Sequence, residues 1–165
     1  MKKLSVSVFA LMSSTLTWSG IYEDFKNAYP TYSEEKQQSI RKNIKDLDWT
    51  PIVQNQQKSK TMYLNYDYVK SIDSSTVEVW EKRIVNIDLD KDSLLVNDYQ
   101  MVKGIYYCDK MKYRILSVSS YKHKTGKSFD SFNYEDMNKE SDIFPDSVGD
   151  ELMQFACVMN LLKTY

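Results

Sequence analysis

The stretch Thr76-Val77-Glu78-Val79-Trp80-Glu81-Lys82-Arg83-Ile84-Val85 is rich in strand-forming residues that alternate with a period of two. This pattern predicts a β-strand over 76–85. Strand formers also dominate 61–69, 99–108, 113–123 and 128–134. Short polar connections such as 109–112 separate these runs. Because parallel pairing requires a crossover of about a dozen residues or more, the sequence predicts an antiparallel meander.

A helix is expected on the N-terminal side of this sheet. Ser33 is a suitable N-cap, and Glu34 and Glu35 follow it where the helix dipole favours negative charge. Apolar residues then recur at helical spacing: Ile40, Ile44 and Leu47. The pattern predicts a helix over 34–47 that packs on the domain, with an oligomer partner as the alternative. Pro51 prevents its continuation.

The C-terminal segment predicts a second helix. Asp146 or Ser147 caps it, and its apolar residues form one stripe: Val148, Leu152, Phe155, Ala156, Met159 and Leu162. Such a helix is expected to lie across the sheet. The predicted fold is α+β, with an antiparallel meander packed by a C-terminal helix and an additional N-terminal helix.

Composition excludes several classes of function. The chain has 165 residues, with 22 Lys and Arg against 23 Asp and Glu, so its formal charge is −1. A balance of this kind argues against nucleic-acid binding through overall positive charge. The single histidine, His123, excludes zinc sites that need several histidines. No nucleophile, base and acid form a recognisable catalytic pattern, so we expect no enzyme, metal or cofactor.

The N-terminus predicts export. Lys2 and Lys3 precede a short apolar stretch, and small residues follow, with Thr17 and Ser19 at the −3 and −1 positions of a cleavage site. Residues 1–19 are therefore expected to be a signal peptide; the alternative is a frayed first strand or an amphipathic start. The stretch is too short to span a membrane. No cysteine lies near the cleavage region, so a lipoprotein anchor is not expected.

Two cysteines, Cys108 and Cys157, remain after the predicted cleavage. In an oxidising compartment such a pair predicts a structural disulfide, whereas in the cytosol two buried thiols are expected. Their spacing matches no CxxC redox motif.

Ordered landmarks connect the chain to a family. They are Trp49-x-x-Ile52, Tyr63-x-x-Tyr66-Asp67, Ser71-Ile72, Val77-Glu78-Val79-Trp80, Tyr107-Cys108, Tyr113-Arg114, Tyr121 with Gly126, Ile143-Phe144-Pro145-Asp146-Ser147, and Cys157. Together with the export signal, this order resembles the bacterial surface-adhesin protein E family over residues 49–160. The resemblance implies bridged cysteines and a non-enzymatic envelope or surface protein of a Gram-negative bacterium.

The same resemblance implies adhesion to host matrix or serum proteins. The alternative is a soluble periplasmic envelope or accessory protein with the same fold and no host ligand. The chain departs from the family in lacking the lipid-anchor cysteine, in carrying Lys139, Glu140 and Ser141 where a tryptophan is common, and in having 20–48 as an N-terminal helical extension. We accordingly expect the family domain at 49–165.

Basic residues at two predicted turns are the candidate partner-binding residues. Lys110, Lys112 and Arg114 surround one turn, and Lys122, Lys124 and Lys127 surround the next. Antiparallel pairing of 99–108 with 113–123 places these turns at opposite ends of the later strand. The favoured interpretation is that lysines at turns keep the sheet soluble and unpaired at its edges. The alternative is that each group attracts an acidic partner or a sulfated glycan.

Overall fold

The computed structural model describes residues 20–88, 93–137 and 139–165. The predicted signal peptide at 1–19 lies outside these residues. Within them, the helices and strands run in this order: α1 Ile21–Ala28, α2 Glu34–Lys45, β1 Thr50–Gln54, β2 Lys60–Leu64, β3 Val69–Ser71, β4 Thr76–Val85, β5 Tyr99–Tyr107, β6 Lys112–Tyr121, β7 Ser128–Asn133, β8 Ser141–Asp142 and α3 Val148–Thr164. Short 3-10 turns occupy Tyr29–Thr31, Tyr66–Tyr68 and Glu135–Met137.

The eight described strands form one antiparallel sheet. Its order is β1-β2-β4-β5-β6-β7, with β3 beside β4 and β8 beside β6. Neighbours in space are mostly neighbours in sequence, as the short connections require. The predicted α+β fold, a meander packed by a C-terminal helix with an additional N-terminal helix, is confirmed.

The stretch 61–69 differs from its prediction as one strand, because the chain bends at Asn65. The Asn65 side chain accepts a hydrogen bond from the Asp67 N–H at 2.8 Å and donates to the Asp48 carboxylate at 3.1 Å. This local side-chain-to-backbone bond favours a turn over a continued strand. As a result β2 and β3 pair with successive halves of β4.

The N-terminal segment forms a helix that the sequence periodicity does not predict. Helix α1 is only eight residues long, but Tyr22, Phe25 and Tyr29 are buried and the Phe25 and Tyr29 rings stack at 5.1 Å. These side chains join the same core cluster as α3 and the sheet. Helix α2 begins after the predicted Ser33 cap and ends at Lys45, and its Ile44 also enters this core.

Helix α3 is buried on more sides than one apolar stripe predicts. Every residue from 152 to 162 is buried, including Gln154 and Asn160. The sheet covers one side and α1 another, so polar residues also become enclosed and need partners. Gln154 meets this need: its Oε1 accepts from the Tyr22 N–H at 2.8 Å, and its Nε2 donates to Asp150 at 3.1 Å.

A disulfide joins Cys108, directly after β5, to Cys157 in α3. Their Cα atoms lie 5.9 Å apart and both residues are buried. The predicted pairing of the two cysteines is present. It attaches the middle of α3 to one end of the central strand pair.

Removing this bridge tests its contribution. The double variant Cys108→Ala/Cys157→Ala should lose about 2–4 kcal/mol of unfolding free energy, because the unfolded chain regains the entropy of a loop of some 50 residues. Urea denaturation of wild type and variant measures the change. Hydrogen exchange should accelerate first in α3, since the strand ladders do not depend on the bridge. Equal unfolding free energies would show that the bridge adds no stability.

Candidate functional site: the open face of the sheet

The two faces of the sheet differ in what covers them. Alternation along β4 directs Val77 and Val79 toward the core shared with the helices, where both are fully buried. Glu78, Trp80 and Lys82 point the opposite way and are partly exposed. The register with β5 and β6 extends this outward face across the sheet. We call it the open face; its residues in these strands are Thr76, Glu78, Trp80, Lys82, Ile84, Tyr99, Met101, Lys103, Ile105, Tyr107, Lys112, Arg114, Ser117, Ser119 and Tyr121.

A row of aromatic rings with one lysine crosses the open face. The Trp49 and Tyr68 rings stack at 5.1 Å, and the Tyr99 and Tyr121 rings stack at 5.0 Å with planes only 5° apart. The Lys82 ammonium lies between the two pairs, 5.8 Å from the Trp49 ring centre and 4.8 Å from that of Tyr99. We call these five residues the aromatic row. Each such cation–π contact contributes about 0.5–1 kcal/mol at an exposed site.

Charge on the open face is predominantly positive. Glu78 is its one acidic residue in β4, β5 and β6, and it pairs with Lys103 at 3.1 Å. Lys82 has no ion-pair partner among the described residues. The surface therefore combines extended aromatic area with excess cationic charge.

The structure separates the six basic residues singled out from the sequence. Lys112 and Arg114 lie on the open face, at the end of the sheet nearest the Cys108 bridge. Lys112 also contacts Glu140 at 3.5 Å, and Lys110 lies over the Tyr107 ring at 5.7 Å. Whether these residues bind a partner stays a prediction.

The other turn, at 122–127, lies at the far end of β6, as the antiparallel pairing predicts. Lys122 turns away from the open face and contacts Asp98 at 2.9 Å and the Ser93 carbonyl at 2.6 Å. Lys124 and Lys127 are exposed, and Gly126 takes the positive φ of 63° that closes the turn. Lys122 thus has a structural contact, while Lys124 and Lys127 face solvent.

Asp98 anchors the 122–127 turn to the start of β5. Burial raises the pKa of this carboxyl, but N–H groups of His123 and Leu95 and the Lys122 ammonium donate to it and outweigh burial. The net effect lowers the pKa of Asp98 from 3.8 to about 2. The ionised form is therefore the one that the fold stabilises.

This depression predicts a pH dependence for Asp98→Asn. Because the pKa of Asp98 is lower in the folded chain, its ionised carboxylate stabilises the fold at pH values above the unfolded-state pKa. This stabilisation is lost as the pH falls from about 4 to 2. The wild type should exceed the variant in unfolding free energy by a constant amount above pH 4, and the gap should narrow toward pH 2. Chemical denaturation across this range measures it. A gap that does not change with pH would contradict the assignment.

Sequence reasoning missed the aromatic row. The alternation that places Val77 and Val79 inward also places Trp80 and Lys82 outward, so part of the open face was readable from β4. Trp49 and Tyr68 lie outside the long strands, and only the fold brings them beside Lys82.

Below the sheet, on the helix side, Glu81 forms a buried polar network. The Tyr106 hydroxyl donates to Glu81 at 2.5 Å, and Arg83 pairs with the other carboxylate oxygen at 2.7 Å. Burial, followed by the nearby Glu81 charge, raises the pKa of Tyr106 well above its ordinary value, so the hydroxyl remains a donor. Both Glu81 oxygens therefore have protein partners.

Neither a metal cluster nor a membrane-spanning helix is found in the part of the chain that the structure describes. No group of three or more His, Cys, Asp or Glu side chains there has the geometry to hold a metal ion. No helix among those residues is long and apolar enough to cross a membrane.

These features define a disulfide-bonded α+β domain whose helices cover one sheet face and leave the other open. The family model for surface-adhesin protein E matches residues 49–158. The chain therefore belongs to the surface-adhesin protein E family, which confirms the resemblance found in its sequence and implies an exported protein. No curated protein and no solved structure matches it significantly.

Proposed function

We propose that this protein is an adhesin that binds host extracellular-matrix or serum proteins through its open face. The observation that carries the proposal is the aromatic row, in which Lys82 lies between two stacked ring pairs. Family membership supports adhesion as the biological role.

The composition of the open face supports protein binding. Tyrosine, tryptophan and arginine are enriched in protein interfaces because they offer large contact area together with polar groups. The open face presents these types on rigid neighbouring strands, including Trp80, Tyr99, Tyr121 and Arg114. Strand residues change little in conformation on binding, which limits the entropic cost. The excess positive charge favours a partner with an acidic surface.

Basic residues beside this face extend the proposed site. Lys110, Lys112 and Arg114 lie at one end, where Glu140 and Asp142 compensate the charge of Lys112, and Lys124 and Lys127 form a second basic group at the 122–127 turn. We assign the second group to electrostatic steering, since exposed charges at a rim mainly affect association rates.

We further propose that the protein acts by binding and has no catalytic activity. The Glu81 carboxylate is held by Tyr106 and Arg83, and His123 lies in an exposed turn flanked by lysines. Replacing His123 with Ala should leave binding within a few-fold of wild type. A loss of several orders of magnitude in a folded variant would overturn this part of the proposal.

For its cellular location we propose export by a signal peptide at 1–19, followed by an extension at 20–48 and the adhesin domain at 49–165. Display at the cell surface is expected of an adhesin, whereas retention in the periplasm is expected of an accessory protein. Proteolysis of intact cells distinguishes them: digestion supports surface display, and full protection contradicts it.

Charge reversal on the aromatic row tests the binding site. Lys82→Glu should weaken binding to immobilised host matrix or serum protein by about tenfold or more, because it removes both cation–π contacts and reverses the local charge. Lys82→Arg should largely restore affinity, since a guanidinium also stacks on rings. Biolayer interferometry at two salt concentrations measures both effects, and binding should weaken with salt less steeply in Lys82→Glu.

Two further variants serve as controls. Lys42→Glu makes the same charge change on exposed α2 and should not alter binding. Lys124→Glu makes it in the 122–127 turn and should lower the association rate only. Loss of affinity in Lys124→Glu with none in Lys82→Glu would move the site to the basic turn and refute the assignment to the open face.

A further inference from the structure

The outer edge of β7 is a second surface with its own chemistry. Strand β7 ends the sheet, and all six of its residues are exposed. Natural edge strands are usually protected by proline, lysine, bulges or a covering segment. The β7 sequence, Ser-Phe-Asp-Ser-Phe-Asn, contains neither proline nor lysine and carries one charge, Asp130. Its pairing with β6 shifts register only near its start, between Ser120 and Tyr121, so residues 130–133 form a regular edge. Phe129 and Phe132 are 42% and 51% exposed, which is unusual for two large apolar side chains on one edge.

The register identifies which backbone groups remain available on this edge. Phe132 lies opposite Val118, and the Tyr134 N–H donates to the Leu116 carbonyl at 2.7 Å. Because backbone groups alternate in direction along a strand, the even-numbered residues of β7 bond to β6. The N–H and C=O groups of Ser131 and Asn133 therefore point away from the sheet. Such outward groups form hydrogen bonds with another extended backbone.

A groove lies on the helix side of the sheet next to this edge. Its volume is about 540 Å³, and its lining includes Leu94, Val118, Ser120, Asp130 and Phe132. A strand added to β7 places alternate side chains beside Asp130 and Phe132, within cross-strand contact distance. The groove has room for long side chains at those two positions.

The charge of Asp130 determines which partner side chain fits opposite it. The Asp130 carboxylate has no ion pair among the described residues, while the nearby Lys122 is held by Asp98 at 2.9 Å. An arginine opposite Asp130 would supply the missing cation. An aromatic residue opposite Phe132 would cover its exposed ring. In an antiparallel strand these two partner residues are separated by one position, with the aromatic residue first.

We propose that the β7 edge binds an extended peptide segment by strand addition, with an aromatic-x-Arg pattern facing the groove. This site is separate from the open face and does not rest on the proposed adhesin function. A second copy of this chain is a poorer occupant. Self-pairing centred on Asp130 or Ser131 places the two Asp130 carboxylates opposite or diagonal to each other, where like charges repel. Self-pairing in any register leaves Asp130 without a cation, because β7 contains no basic residue.

Titration of the full chain with the acetylated, amidated peptide Thr-Thr-Tyr-Thr-Arg-Thr-Thr tests the proposal. NMR chemical shifts should change at Ser131 and Asn133, with a Kd of about 1 mM or tighter. A peptide with Glu in place of Arg should bind at least about tenfold more weakly. N-methylation of the peptide amides that face β7 should abolish binding, because it removes donors from the new ladder.

Protein variants complete the test. Ser131→Pro removes one outward N–H, and proline is tolerated on an edge strand when its nitrogen faces solvent. It should weaken binding about tenfold or more, whereas Ser131→Ala keeps the N–H and should bind like wild type. Asp130→Arg should invert the preference between the Arg and Glu peptides. Circular dichroism checks that each variant is folded.

Three results would overturn the proposal. One is absence of peptide binding at millimolar concentration. Another is binding that is insensitive to both N-methylation and Ser131→Pro. The third is a dimer in sedimentation experiments that Ser131→Pro disrupts, since a second copy would then be the occupant of the edge. If Lys82→Glu loses host-protein binding but keeps peptide binding, the β7 edge is a binding site independent of the open face.

Discussion

Packing of α3 against one face of the sheet is the constraint on which the rest of the structure depends. Val77 and Val79 contribute the fully buried centre of that contact, and the disulfide from Cys108 to Cys157 keeps the helix in place. Each large apolar side chain buried there contributes about 1.5–3 kcal/mol. Helix α1 then covers the other side of α3, which explains why Gln154 is enclosed and bonded to the backbone of Tyr22.

Because all three described helices join one core, no helix of the described residues covers the opposite sheet face. Strand alternation gives the inward residues Val77, Val79 and Glu81 of β4 the outward neighbours Glu78, Trp80 and Lys82. Burial of the inward side chains of β4 therefore holds its outward side chains on a rigid strand. A sheet held by a covered face and a disulfide presents its rings and cations without reorganising, which favours recognition of a folded partner surface.

The two proposed surfaces use different parts of the same sheet. As proposed, the open face would bind through side chains that project from central strands, whereas the β7 edge would bind through backbone groups that point away from the sheet. Their electrostatic preferences are opposite, since Lys82 and Arg114 favour an acidic partner and Asp130 favours a basic one. A protein with both surfaces is suited to hold two different partners, or two parts of one, at the same time.

The sequence by itself determined the strands with clear alternation, the Ser33 cap, the position of α3 and the family, because these depend on local periodicity and on landmarks in order. It also placed the two basic turns at opposite ends of β6, since hairpin pairing follows from short connections. Only the tertiary structure decided that Trp49 and Tyr68 join Lys82, that Lys122 is held by Asp98, and that α1 forms on eight residues. These features depend on contacts between residues far apart in the chain, and a short helix such as α1 is stable only when its apolar side chains are buried by such contacts.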